Sequence, residues 1–79
     1  MSLNEEFMQV LSAEIRKHHN NVLVLRECLL KFKIDGMDKD SMIKNLEELR
    51  NISDSEVEDI LLELMDFVVG YCKPNLAIF

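Results

Sequence analysis

The chain has 79 residues, of which 48% are hydrophobic and 30% are charged, and fifteen acids against nine bases give a net charge of −6. This length predicts a single domain over residues 1–79, and the apolar content is too high for a disordered chain. The acidic balance argues against nucleic acid and anionic membranes as partners, because both attract Lys and Arg. It favours a basic protein as the partner.

Helical patterns dominate the chain, which contains one proline and two glycines and no alternating apolar segment followed by a hairpin turn. Short connections between the helical segments favour antiparallel neighbours. We therefore predict an all-α fold, a small antiparallel bundle of about four helices.

The first segment begins at Ser2, which fits a capping box with Glu5, and Asn4 is an alternative cap. Apolar residues at helical spacing follow and predict a buried face. The pattern ends in the basic run from Arg16 to His19, which suits the negative end of a helix dipole. Asn20 or Asn21 would then cap a second helix, although one long helix through this stretch is the competing possibility.

The second segment, residues 22–34, is apolar on two sides, which is typical of a central helix or of one that dimerises. One stripe comprises Val22, Leu25, Cys28, Leu29 and Phe32, and the other comprises Leu23, Leu30 and Ile34. Gly36 is expected to end this helix, because glycine adopts a left-handed backbone without a Cβ clash.

Asp38 is predicted to cap the third helix, with Met37 and Met42 placed as a hydrophobic staple around it. This helix is expected to end near Arg50 and Asn51.

The fourth helix is predicted to begin at Ser53, with Glu56 as the capping-box partner and with Ile52 and Val57 as a staple. Gly70 near its end and Pro74 beyond it should terminate the helix. The apolar tail, residues 75–79, is expected either to fold back onto the bundle or to contact a partner.

The fourth helix carries a one-sided row of acids, Glu56, Asp59, Glu63 and Asp66, at spacings of three, four and three residues. At about 100° per residue these side chains fall within a narrow arc opposite the apolar face. Between residues 51 and 71 there is no Lys, Arg or His. The row is either a solvated helix face, with or without pairing to Lys39, Lys44 or Arg50, or a docking surface for a basic protein.

Catalytic and metal-binding patterns are weak in this sequence. Adjacent His18 and His19 point in different directions on a helix and do not chelate as a pair separated by four residues does. Cys28 lies on an apolar stripe, which raises a thiol pKa and disfavours a nucleophile. Cys28 and Cys72 form no CxxC pair, so both are expected to be free thiols. We predict no catalytic residues, no metal and no cofactor.

The start of the chain lacks the basic and apolar regions of a signal peptide, and the longest uncharged apolar runs are far too short to span a membrane. We therefore expect a cytoplasmic protein.

In size, acidity, four-helix plan and the segment from Asn51 to Glu58, the chain resembles the small acidic immunity proteins that bacteria use against their own nuclease toxins, the colicin DNase type. In that family a similar segment begins the first helix, whereas here it begins the last. The tyrosines expected on the third helix are absent between Met42 and Arg50. The resemblance implies a class of function, inhibition by binding a basic toxin domain, and no particular set of binding residues.

Two hypotheses follow from the sequence. The first is a non-catalytic immunity-like inhibitor that docks a basic partner through Glu56, Asp59, Glu63 and Asp66, with Tyr71 as a possible aromatic anchor. The second is a self-associating module, in which the second apolar stripe and the tail residues Leu76, Ile78 and Phe79 form a homodimer core.

Overall fold

The computed structural model describes residues 2–71 and 74–79, and the prediction for Cys72 lies outside these residues. Four α-helices follow one another: α1 (Leu3–His18), α2 (Val22–Ile34), α3 (Lys39–Asn51) and α4 (Ser55–Val69). A short 3₁₀ turn, Pro74–Leu76, follows them. The predicted all-α bundle is confirmed, and the break at residues 19–21 excludes one long helix in place of α1 and α2.

The four helices form a square in which α1 and α4 each pack against α2 and α3. The core lies between them and contains apolar residues from every helix and from the tail. These are Phe7, Leu11, Ile15, Leu25, Leu29, Phe32, Met37, Met42, Leu46, Leu49, Leu61, Leu64, Phe67, Val68 and Ile78. Phe7 of α1 meets Phe32 of α2 edge to face, with ring centroids 5.0 Å apart, an arrangement that aromatic pairs favour.

The first helix begins as predicted at Ser2, whose side-chain oxygen accepts a hydrogen bond of 3.2 Å from the Glu5 backbone N–H. Asn4 was the alternative cap, and that alternative is wrong because Asn4 lies inside α1. Its side-chain oxygen instead accepts a hydrogen bond of 2.9 Å from the amide of Asn45 on α3. Asn45 is buried, so this bond satisfies a polar group in the core and fixes α1 against α3.

The second helix ends at a left-handed Gly36 (φ 109°), as the sequence predicts. The Met37 N–H donates to the Phe32 carbonyl and the Gly36 N–H donates to the Lys33 carbonyl, both at 3.0 Å. These two bonds are those of a Schellman motif, and the buried side chains of Met37 and Phe32 are its usual apolar pair. The motif turns the chain directly into α3.

Asp38 caps α3 as predicted, and its carboxylate accepts a hydrogen bond of 2.7 Å from the Ser41 N–H. Met37 and Met42, the predicted staple residues on either side of this cap, are both buried. The bond from Ser41 favours the ionised carboxyl and lowers the pKa of Asp38 below its usual value.

The tail folds back onto the bundle, which is one of the two outcomes expected from the sequence. Ile78 is buried in the core, and its N–H donates to the Phe67 carbonyl of α4 at 3.0 Å. Two cations of α2 hold the tail from the other side. Arg26 Nε donates to the Leu76 carbonyl at 2.7 Å, and Lys33 Nζ donates to the Ile78 carbonyl at 2.6 Å. Lys33 Nζ also lies 5.1 Å from the centroid of the Phe79 ring.

We predict that Ile78→Ala lowers the free energy of unfolding by about 2–5 kcal/mol, the usual cost of truncating a fully buried isoleucine. The matched control is Ile34→Ala, because Ile34 is 81% exposed and its truncation should change stability by no more than about 0.5 kcal/mol. Urea unfolding measures both. Equal effects of the two substitutions would show that the tail is not seated in the core.

We also predict that acid weakens the cap of α3. The pKa of Asp38 is lower in the folded state than the ordinary carboxyl value, which is near 3.8. The ionised Asp38 therefore stabilises the fold at any pH above that ordinary value, and this contribution is lost as the pH falls through the lower folded pKa. Asparagine caps a helix about as well and does not titrate in this range. Urea unfolding at pH 6 and pH 3 should therefore show a smaller loss of stability for Asp38→Asn than for the unsubstituted protein. Equal losses would contradict this role for the Asp38 charge.

Candidate functional site

The orientation of α4 is fixed by its buried face. Four apolar residues that follow one another at spacings of three, three and one are buried, namely Leu61, Leu64, Phe67 and Val68. Burying each large apolar side chain contributes about 1.5–3 kcal/mol, so rotating this helix to expose them would cost far more than any surface charge could return. The acidic row on the opposite side is thereby turned to solvent.

The start of α4 differs from the prediction by one residue. The cap is Asp54, whose carboxylate accepts a hydrogen bond of 3.0 Å from the Val57 N–H, and the predicted capping box of Ser53 and Glu56 is wrong. Ser53 instead donates its hydroxyl to the Leu49 carbonyl at the end of α3. Ser53 and Asp54 are both suitable helix caps, and the sequence alone does not show that the Ser53 hydroxyl bonds to the end of α3.

The predicted staple of Ile52 and Val57 is also not formed as a buried pair, since Ile52 is 76% exposed. With Asp54 as the cap, Ile52 stands one position too far from the helix for the usual staple geometry. It is left on the surface of the turn between α3 and α4.

All four acids of the row, Glu56, Asp59, Glu63 and Asp66, are exposed. Within residues 2–71 and 74–79 none of their carboxylates lies within 4.0 Å of a Lys, Arg or His nitrogen. Arg50 Nη2 of α3 lies 3.9 Å from Glu58 Oε1 of α4. Glu58, however, is not one of the four acids of the row. The pairing with Lys39, Lys44 or Arg50 that would neutralise the row is therefore not formed among the described side chains.

The two halves of the row have different surroundings. Glu56 and Asp59 line one wall of a cleft of about 580 Å³, and Arg16 and His19 at the end of α1 line the other. No ion pair bridges this cleft within the described chain, but the positive charge of Arg16 on the far wall reduces the negative potential there. Glu63 and Asp66, farther along α4, do not line the cleft.

Tyr71 follows Gly70, the C-cap of α4, and is 84% exposed. Its backbone is held firmly, because its N–H donates to the Asp66 carbonyl at 2.9 Å beyond the left-handed Gly70 (φ 92°). The exposure of Tyr71 excludes a position in the core.

Two further exposed residues of α4, Leu62 and Val69, were missed by the sequence reasoning. They are 39% and 37% exposed, and on a helical projection they fall beside the acidic row. Two runs of three apolar residues, Ile60 to Leu62 and Phe67 to Val69, indicate this exposure in the sequence. Adjacent residues point to different sides of a helix, so a helix that buries one face leaves part of each run exposed.

Groups associated with catalysis are scattered. Cys28 is half-buried, and desolvation raises the pKa of its thiol, with a smaller contribution in the same direction from the nearby charge of Glu14. His18 lies 3.6 Å from the Glu14 carboxylate on α1. In the described part of the chain, no group of three or more His, Cys, Asp or Glu is arranged to hold a metal ion. No described helix is both long and apolar enough to cross a bilayer.

Comparisons of the chain with protein-family models, with curated proteins and with solved structures found no match.

Proposed function

We propose that this protein is a non-catalytic binding module that docks a basic partner protein on the outer face of α4. The observation that supports this proposal most is the acidic row itself. It combines Glu56, Asp59, Glu63 and Asp66 on one exposed face without an ion pair to any described cation. Like charges at these spacings repel by about 0.2–0.5 kcal/mol per pair, a cost that a cationic partner would reverse.

An immunity-like inhibitor is the form of this function that we favour. Its target would be a basic toxin-like protein whose cationic surface the row covers. Carboxylates in such an arrangement accelerate association by electrostatic steering and disfavour acidic competitors. Tyr71, exposed at the end of the same helix, would add an aromatic contact of the kind that contributes strongly to interfaces.

A charge-reversal pair tests the proposal with a lysine-rich peptide as the probe. Asp59→Lys with Glu63→Lys should weaken peptide binding about tenfold or more at low salt, measured by isothermal titration calorimetry. The control is Glu47→Lys with Glu48→Lys on α3, which changes two exposed acids and alters the net charge by the same amount. Since general attraction to an acidic protein would respond equally to both pairs, equal weakening would contradict a specific role for α4.

The second candidate is a homodimer formed through α2. Leu23 and Ile34 of the second apolar stripe are 53% and 81% exposed, which leaves apolar surface for a second copy. The tail contributes little to such an interface, because Ile78 is already in the core of its own bundle. Sedimentation at low concentration should show a dimer that persists at high salt if this candidate is correct, and a monomer if it is not.

A further inference from the structure

A line of partly exposed apolar residues runs along α4 immediately beside the acidic row. We call Leu62, Met65 and Val69 the α4 seam. Their spacings of three and four residues are those of the apolar positions in a coiled coil. Leu62 and Val69 lie two turns apart, about 10.5 Å along the helix axis. Both are more than one-third exposed, and Met65 between them is half-buried against the core.

The acidic row supplies the charged flank of this seam. On a helical projection Asp66 is about 40–60° from Leu62 and Val69, and Asp59 and Glu63 follow on the same side. Glu63 and Asp66 are also the two acids that stand outside the cleft lined by Arg16 and His19. The part of the flank formed by Glu63 and Asp66 therefore does not face Arg16 across that cleft.

We propose that the seam and its acidic flank receive a basic amphipathic helix of the partner protein. This inference rests on the proposed function and specifies the chemistry of the partner. The incoming helix presents apolar residues at heptad spacing to Leu62, Met65 and Val69. On one side of that apolar line it carries Lys or Arg opposite Glu63 and Asp66. Helices recognise one another in this way through apolar anchors, with flanking charges setting partner choice.

Charge decides between this partner and a second copy of the chain. Two copies packed antiparallel, seam to seam, would bring Glu63 and Asp66 of one molecule onto the same side of the interface as those acids of the other. In either orientation the two molecules each carry a net charge of −6. Juxtaposed like charges oppose association, whereas a row of Lys or Arg would neutralise the acids. The flank therefore selects a cationic helix over self-association at this surface.

Two synthetic peptides of about three heptads test the proposal. Both have the same composition of Leu, Lys, Arg and Ala. In the first, the leucines stand at heptad spacing with Lys and Arg beside them; in the second, the leucines are scattered around the helix. The first peptide should bind the full chain at least about tenfold more tightly, and amide chemical-shift changes in the protein should centre on Leu62 and Val69.

Two variant pairs complete the test. Leu62→Gln with Val69→Gln should remove most of the preference for the first peptide. The control, Leu23→Gln with Ile34→Gln, makes the same chemical change at two more exposed apolar residues on α2 and should preserve that preference. Circular dichroism establishes that each variant is folded. Should the seam variant unfold, the chemical-shift map of the unsubstituted protein decides the matter.

The contradicting outcomes separate this inference from the proposed function. If both peptides bind equally and only the charge reversal of Asp59 and Glu63 weakens them, the helical seam is wrong and the acidic docking face stands. If neither peptide binds at low salt, both proposals are overturned. Concentration-dependent shifts at Leu62 and Val69 without peptide would assign the seam to a second copy and overturn the cationic helix.

Discussion

Burial of one face of α4 determines which side chains the bundle presents to solvent along this helix. Leu61, Leu64, Phe67 and Val68 enter a core to which every helix contributes, and the rigid geometry of a helix then determines what the opposite face presents. The carboxylates of Glu56, Asp59, Glu63 and Asp66 are exposed as a consequence of apolar packing. Their mutual repulsion is small beside the free energy of that burial.

The tail and the caps hold this arrangement in place. A chain of this length has a small core, so each additional buried group matters. Ile78 adds one such group between α2 and α4, and Arg26 and Lys33 satisfy tail carbonyls that would otherwise lose hydrogen bonds on leaving water. These cations therefore make contacts within the bundle, whereas the four acids of the row make no ion pair with a described cation. Because Arg26 and Lys33 bond to the tail, they do not neutralise the acidic face of α4.

The sequence predicts the helices, the two glycines near helix ends and two of the caps because these depend on local chemistry. It misplaces the cap of α4 since Ser53 and Asp54 are both suitable, and the choice depends on a hydrogen bond from Ser53 to the preceding helix. It does not predict whether the tail folds back onto the bundle, because the groove that holds Ile78 is made by residues distant in the sequence. The acidic row is visible in the sequence, but its proximity to Arg16 and His19 and the exposure of Leu62 and Val69 depend on packing between helices.

Helix α4 turns Glu63, Asp66 and the flanking Leu62 and Val69 outward, while Leu61, Leu64 and Val68 are enclosed in the core. Methyl NMR of the free protein with a soluble paramagnetic probe measures this directly, since relaxation increases with solvent access. We expect strong relaxation for the methyl groups of Leu62 and Val69 and weak relaxation for those of Leu61, Leu64 and Val68. Equal protection of all five residues in dilute solution would contradict this expectation.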